Sequence, residues 1–212
     1  KLWQFGCRGA PVQERHLDST GLVIGRDRRV SLRGYGERDR GQYDCALDIF
    51  APDGAAPLYR REMLDSVAVD GEYLDEAFFM YREEVDLGWR ARWRGWRAVY
   101  SPAATGFHLR RYGPGQRRAQ PGWLRRMQLR NRYCLLLKND TWGNLVRDAG
   151  PILWFEVRAL GYCLCVEPHY PRAYLGAMRL IPTMWRRRGH VLGRRTVSSR
   201  HLRQWFRQNH RI

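Results

Sequence analysis

The apolar positions of this chain change period twice. Between residues 17 and 51 they come in short runs broken by glycine and charge. Leu22-Val23-Ile24, Val30-Ser31-Leu32 and Ala46-Leu47-Asp48-Ile49-Phe50-Ala51 each predict a short strand. The turn-rich Gly25-Arg26-Asp27-Arg28-Arg29 joins the first two as a hairpin. Residues 1–16 carry little signal. After a turn at residues 52–57, Leu58-Tyr59-Arg60-Arg61-Glu62-Met63-Leu64 opens a helix. Val85, Trp89, Trp93 and Trp96 then recur at spacings of four, four and three, one face of a helix that begins near Glu84. Ala98-Val99-Tyr100-Ser101-Pro102 predicts a strand stopped by proline. Residues 110–122 form a basic Gly/Pro linker. From Trp123 the period is helical, with Leu124, Met127, Leu129, Tyr133, Leu136 and Leu137 between cationic residues, until Asn139-Asp140 and Gly143. Residues 149–166 are the most apolar run, but Glu156 and Arg158 interrupt it. It falls short of the roughly 20 clean apolar residues a membrane span needs. Residues 174–185 predict a further helix, and residues 194–211 a basic end.

Charge divides the chain where the period changes. The formal net charge is +17 over 212 residues, enough chain for one sizeable core or a domain plus an appendage. Residues 1–109 hold 16 Lys and Arg against 17 Asp and Glu, whereas residues 110–212 hold 22 against 4. The first stretch has the balance of an ordinary soluble domain. The second, rich in Trp, Tyr and Leu, suits a polyanion: a membrane surface, nucleic acid or a phosphorylated substrate. Cys7, Cys45, Cys134, Cys163 and Cys165 show neither CxxC nor zinc spacing and read as reduced thiols in a cytosolic setting. No signal-peptide pattern opens the chain, and Lys1 is not a start methionine, so the expectation is the inner or back part of a longer protein.

Candidate chemistry concentrates around the Trp-rich helix. Glu83, Glu84 and Asp86 fall in its first turn, where exposed N–H groups favour negative charge, and Asp86 can pair with Arg90 at i, i+4. Acids in a first turn usually do no more than complement the helix dipole. The small-residue turn at Gly54 and Ala55, between a strand and a helix, is a natural anion site. Arg60 and Arg61 either contact a diphosphate or acceptor there, or pair with Glu62 and Asp65 on the helix surface. His108 follows a strand, a place where a histidine is more often structural than a ligand. Residues 33–44 read as a solvated loop.

Leu74-Asp75-Glu76, Phe78-Phe79, Tyr81, Glu83-Glu84-Val85-Asp86-Leu87, Arg90 and Gly95-Trp96 together resemble the FDExFFxYxEDxDLxxRxxxxGW pattern of family 2 glycosyltransferases, especially the rhamnosyltransferase-like bacterial branch. The resemblance covers roughly residues 18–112 and, more loosely, the helical tail. It implies an α/β fold: the back half of a GT-A, Rossmann-like catalytic domain in residues 1–109, then the linker 110–122 and a separate, mainly helical membrane-associated tail in residues 123–212. It also implies an inverting enzyme that moves a sugar from a nucleotide-sugar donor to a glycan or lipid-linked acceptor in cell-envelope polysaccharide synthesis. Glu84 stands where the family usually carries Asp and inherits the role of general base, with Glu83 and Asp86 shaping its setting. The GAAxLYRRxxL-like segment implies substrate contacts at Gly54, Ala55, Arg60 and Arg61, joined by Trp89 and Arg90. The spacing Pro102-Ala103 to His108 implies that His108 ligates a divalent cation, Mg²⁺ or Mn²⁺. Residues 33–44 resemble a loop near the donor site. No Asp-x-Asp motif occurs in the chain, so the donor-binding half is expected upstream of Lys1, and this stretch alone is expected to lack it. The implied location is cytoplasmic, peripheral on the inner face of the plasma membrane, with an anionic membrane surface as partner and no nucleic acid. The alternative from charge alone is a basic nucleic-acid- or membrane-binding module without catalysis.

Overall fold

The computed structural model describes residues 1–5, 15–112, 116–167 and 171–207; Cys7 lies outside them. The architecture is mixed α/β, with short strands in small ladders. β3 (Leu22–Gly25) and β4 (Val30–Leu32) form the expected antiparallel hairpin, Val23 opposite Ser31. Its turn puts Arg28 at φ 60, while the Asp27 carboxylate accepts from the Arg29 N–H at 2.9 Å. β5 (Leu47–Ile49) pairs antiparallel with β6 (Ala98–Tyr100). The third ladder was not foreseen: β1 (Leu2–Gln4) lies between β2 (Leu17–Ser19), antiparallel, and β7 (Gly106–His108), parallel. Its outer face is aromatic, with Trp3 and Phe107 ring centroids 5.4 Å apart.

α1 (Arg61–Val67) and α2 (Glu83–Trp93) follow the expected helices. α2 is the hub. Val85, Trp89 and Trp93 are buried, Trp89 set edge-on to Phe50 at 6.1 Å. Gly88 permits this approach, since a Cβ there would stand 2.3 Å from the Ala51 Cβ. The helix stops at Arg94, and Gly95 turns the chain away at φ 80, the left-handed conformation glycine adopts without steric cost. Trp96 therefore lies past the helix, its indole N–H donating to Ser66 Oγ at 2.9 Å.

Beyond the linker come α3 (Gly122–Asn139), α4 (Trp142–Arg147), α5 (Ala149–Cys165), α6 (Pro171–Gly193) and α7 (Ser199–Arg203). α5 runs back along α3, as Glu156 meets Arg132 at 3.0 Å and Glu167 meets Arg125 at 3.0 Å. The expected separation of residues 123–212 from the strands is not what forms. β8 (Phe206–Arg207) adds to β3 in parallel, and Cys134, Leu135, Met184, Val191, Leu202 and Phe206 share one core with Ile24, Phe50, Trp89 and Trp93. The reason is the all-round burial of α2. The strands cover one side of it, and the other tryptophan-rich side requires α3 and α6.

A buried polar network crosses the same boundary. Lys138 Nζ on α3 donates to Asp86 Oδ2 at 2.8 Å and Asp75 Oδ2 at 2.7 Å. Asn139 Nδ2 donates to Asp86 Oδ1 at 2.8 Å, and Arg90 Nε to Asp86 Oδ2 at 2.8 Å. Burial alone would push the Asp86 carboxyl up, but Arg90, Lys138 and Asn139 hold it at about 2. Arg28, fully buried, makes a second junction with Asp140 at 2.7 Å and Asp148 at 2.9 Å. Removing one partner of such a buried pair leaves an uncompensated charge. We expect Lys138→Met to destabilise the fold by about 3–5 kcal/mol. Arg61→Ala, which removes the exposed pair with Asp65 and the contact with the Tyr73 ring, is expected to leave stability nearly unchanged. Urea unfolding of both variants checks the contrast, and similar losses would contradict this account of the network.

Candidate functional site

The site begins with the turn that launches α2. Asp75 Oδ1 accepts from the Ala77 N–H at 3.0 Å and starts a 3-10 turn, Glu76–Phe78. Phe79, Tyr81 and Arg82 follow with φ of 61, 66 and 77. Non-glycine residues in such conformations cost on the order of 1–3 kcal/mol each and persist only where their surroundings force them. Here α3 does so. Asn131 Nδ2 lies 2.8–2.9 Å from the Phe78, Met80 and Tyr81 carbonyls, and Arg130 Nη2 donates to the Ala77 and Phe78 carbonyls at 2.9 and 3.0 Å. The clamp leaves Phe79 and Met80 exposed directly before the acidic helix start.

Glu83 and Glu84 occupy that start. Glu84 is half-buried against Gly54, where an added Cβ would stand 3.6 Å from the Glu84 Cβ. Burial, then the neighbouring Glu83 and Asp53, push the Glu84 carboxyl up to about 7. Glu83 Oε2 is buried without a hydrogen-bond partner. The Tyr59 phenol is pushed up to about 12 by burial and by the charges of Glu84, Asp53 and Glu83.

Asp53 connects this edge to a second cluster. Arg110 donates to Asp18 Oδ1 at 2.6 Å and to Asp53 Oδ2 at 2.7 Å. His108 Nδ1 lies 2.9 Å from Asp18 Oδ2, with its ring partly open to solvent. Asp18, Asp53 and His108 each offer an atom within 4.8 Å of the others. This set does not fit a divalent cation as arranged. Both carboxylates already receive a permanent guanidinium charge from Arg110, and the second Asp18 oxygen is taken by His108 Nδ1, so the ligand atoms are engaged with one another. A cleft of about 510 Å³, lined by Lys1, Trp3, Asp39 and Asp44 among others, contains neither Glu84 nor His108.

The sequence-derived candidates therefore divide. Glu83, Glu84 and Gly54 meet at one edge, with Ala55 exposed on the same turn and His108 linked to it through Asp18, Arg110 and Asp53. Arg60 is exposed at the cap of α1, and Arg61 takes the surface alternative, pairing with Asp65 at 3.0 Å. Asp86 is held by Arg90 as expected, at 2.8 Å, while Trp89 and Arg90, expected to touch substrate, lie in the interior. Trp89 is sealed in the core, while Arg90 binds Asp86, the Val67 carbonyl and, at 2.7 Å, the Tyr73 carbonyl. Asp18, Asp53, Tyr59 and Arg110 were missed. Asp53 sits in a Pro-Asp-Gly turn and Arg110 at the first position of the linker, where charge reads as solvation. No family model, no curated protein and no solved structure matches the chain, so the family resemblance rests on the motif residues alone.

Two outcomes follow from these environments. The native state holds the Glu84 proton up to about pH 7, whereas an ordinary glutamate releases it near 4.5. Native protein therefore binds more protons between those values, and stability falls as pH rises through them. Glu84→Gln removes that penalty. The variant should gain on wild type between pH 4.5 and 8 in urea unfolding, and a pH-independent difference would refute the shift. Separately, Arg110→Gln frees the Asp18 and Asp53 carboxylates. It should raise Mn²⁺ affinity about tenfold or more by electron paramagnetic resonance, whereas equal affinity in wild type would show that the guanidinium does not close the set.

Proposed function

We propose that this chain carries the acceptor-activating part of an inverting, nucleotide-sugar-dependent glycosyltransferase of family 2 type, within the back half of a GT-A domain. The observation that carries the reading is Glu84: a half-buried carboxyl at a helix start, pushed up to about 7, at an open edge behind an exposed aromatic turn. A base is most effective when its pKa lies near the working pH. Glu84 takes the proton from an acceptor hydroxyl as that oxygen bonds to the anomeric carbon. The bond from that carbon to the nucleoside diphosphate breaks on the opposite face, and its electron pair leaves with the phosphate oxygen. Glu83, fixed beside Glu84, keeps the base from ionising too easily.

The diphosphate is not held at this edge. Asp18, Asp53, Glu83 and Glu84 outnumber the cations Arg82 and Arg110, so the cluster suits a neutral hydroxyl better than a dianion. Arg60, exposed at the cap of α1, is the candidate for a phosphate contact. The acceptor class that fits is a glycan or lipid-linked sugar, whose ring stacks on an exposed aromatic such as Phe79.

The test is single-turnover transfer, with nucleotide-sugar binding measured in parallel, on the protein that carries this chain. Glu84→Gln should lower kcat by about 10²–10⁴-fold with donor affinity nearly unchanged. Glu84→Asp, which restores the residue usual in the pattern, should be milder. Near-native transfer in Glu84→Gln, with loss in Glu83→Gln, would reassign the base.

A further inference from the structure

The second half of the chain keeps its charges in an unusual arrangement. Residues 110–212 contain four acids, Asp140, Asp148, Glu156 and Glu167. Each is turned inward. Asp140 binds Arg28 and Asp148 binds Arg26, Arg28 and Arg203, while Glu156 binds Arg132 and Tyr133, and Glu167 binds Arg125 and Tyr162. The outward faces of α5 and α6 are left with apolar and cationic side chains.

Those faces are organised. On α5, Leu153, Val157, Leu160 and Leu164 recur at spacings of four, three and four and are exposed, with Trp154 beside them. Glu156 and Cys163 point the other way, into α3. On α6, Leu175, Met178 and Trp185 form an exposed row. Arg172 and Arg179 stand seven residues apart alongside it, in line with Arg186, which pairs with Asp70 at 2.9 Å. Trp142 of α4 joins this row through Trp185, ring centroids 6.3 Å apart, with the Arg188 guanidinium 5.0 Å from the Trp142 ring.

We propose that the α5 and α6 faces dock on an anionic lipid bilayer, with the aliphatic rows in the headgroup–acyl boundary and the arginine row against lipid phosphates. Exposed apolar rows of this size mark an interaction site. No helix among the described residues is long and apolar enough to cross a membrane, so the helices lie in the surface. Trp and Arg suit that boundary, their ring or stem facing the acyl chains and their polar end facing water. Charge selects the partner. A second copy would present the same Arg172 and Arg179 and repel. Nucleic acid would meet the arginines but gain little from an aliphatic row, because bases stack on rings.

The test is co-sedimentation of the full chain with large unilamellar vesicles. We expect at least about tenfold stronger partition into phosphatidylcholine vesicles containing about 30 % phosphatidylglycerol than into phosphatidylcholine alone, at about 0.1 M salt. Val157→Ser with Leu160→Ser should weaken binding about tenfold, as should Arg172→Gln with Arg179→Gln. All four positions are exposed, so unchanged circular dichroism and unfolding midpoints are expected in both double variants. Brominated acyl chains should quench Trp154, with Trp154→Phe as control. Equal partition into both vesicle types overturns the proposal, as does vesicle binding indifferent to the serine pair. Two further results would overturn it in favour of another occupant: RNA binding that the serine pair abolishes, or a dimer in sedimentation equilibrium that the pair dissolves while vesicle binding persists.

Discussion

The Asp86 carboxylate, sealed from water and shared by Lys138, Arg90 and Asn139, fixes how the two halves of this chain meet. Two ions taken out of water recover their hydration only when every lone pair and proton finds a partner. That condition admits one register of α3 against α2, because a slip of a residue would swing Lys138 about 100° away. The Trp93 indole, donating to the Asn139 carbonyl at 2.8 Å, enforces the same register. Lys138 also reaches Asp75, and Arg187 of α6 pairs with Asp75 in turn. A single acid-and-base cluster therefore aligns α2, α3, α6 and the turn ahead of the site.

The site inherits its rigidity from that alignment. Asn131 and Arg130 lie about two turns before Lys138 on α3, on the same side of the helix, where they grip the Phe78–Tyr81 backbone. Strain at Phe79, Tyr81 and Arg82 is held in place by a helix that is itself locked to α2. Glu84 and Asp86 are two residues apart and so point about 200° apart around α2. One acid is driven into the core to anchor the register, and the other is turned out to the open edge. The spacing of the acidic motif encodes a division of labour between stability and chemistry.

Much of this was legible in the sequence and some was not. The hairpin of β3 and β4, the strands β5 and β6, and the helices α1, α2, α3 and α5 all follow from local periodicity. What failed was non-local. β1 and β7 are three residues each and pair across about a hundred residues, while β8 is two residues long, so neither ladder has a local signature. The Gly/Pro linker and the change of charge at Arg110 suggested a separate tail, but charge describes a surface while Met184, Leu202 and Phe206 fill the core beneath it. The motif points to Trp89 and Arg90 as contact residues because motif membership does not distinguish a side chain that touches substrate from one that holds the scaffold. Asp18 was invisible because its significance lies in meeting His108, ninety residues on, at 2.9 Å.

The balance of forces on Glu84 explains why a first-turn acid can escape the usual role of complementing the dipole. A helix N-terminus favours a carboxylate by about 0.3–1 kcal/mol, less than one pH unit at about 1.4 kcal/mol each. Burial and like charge act the other way and reach several pH units where water is largely excluded. Glu84 sits at the edge of exclusion, packed against Gly54 with Glu83 and Asp53 nearby, and its carboxyl rises to about 7. Asp86 is more deeply buried, yet direct contact with Arg90 and Lys138 reverses the sign and holds it at about 2. Neighbouring acids on one helical turn thus differ by proximity to a cation. Arg110 is engaged by Asp18 and Asp53, and the pull of Arg82 at the helix cap is outweighed by burial and by Glu83, which leaves Glu84 able to take a proton near neutral pH.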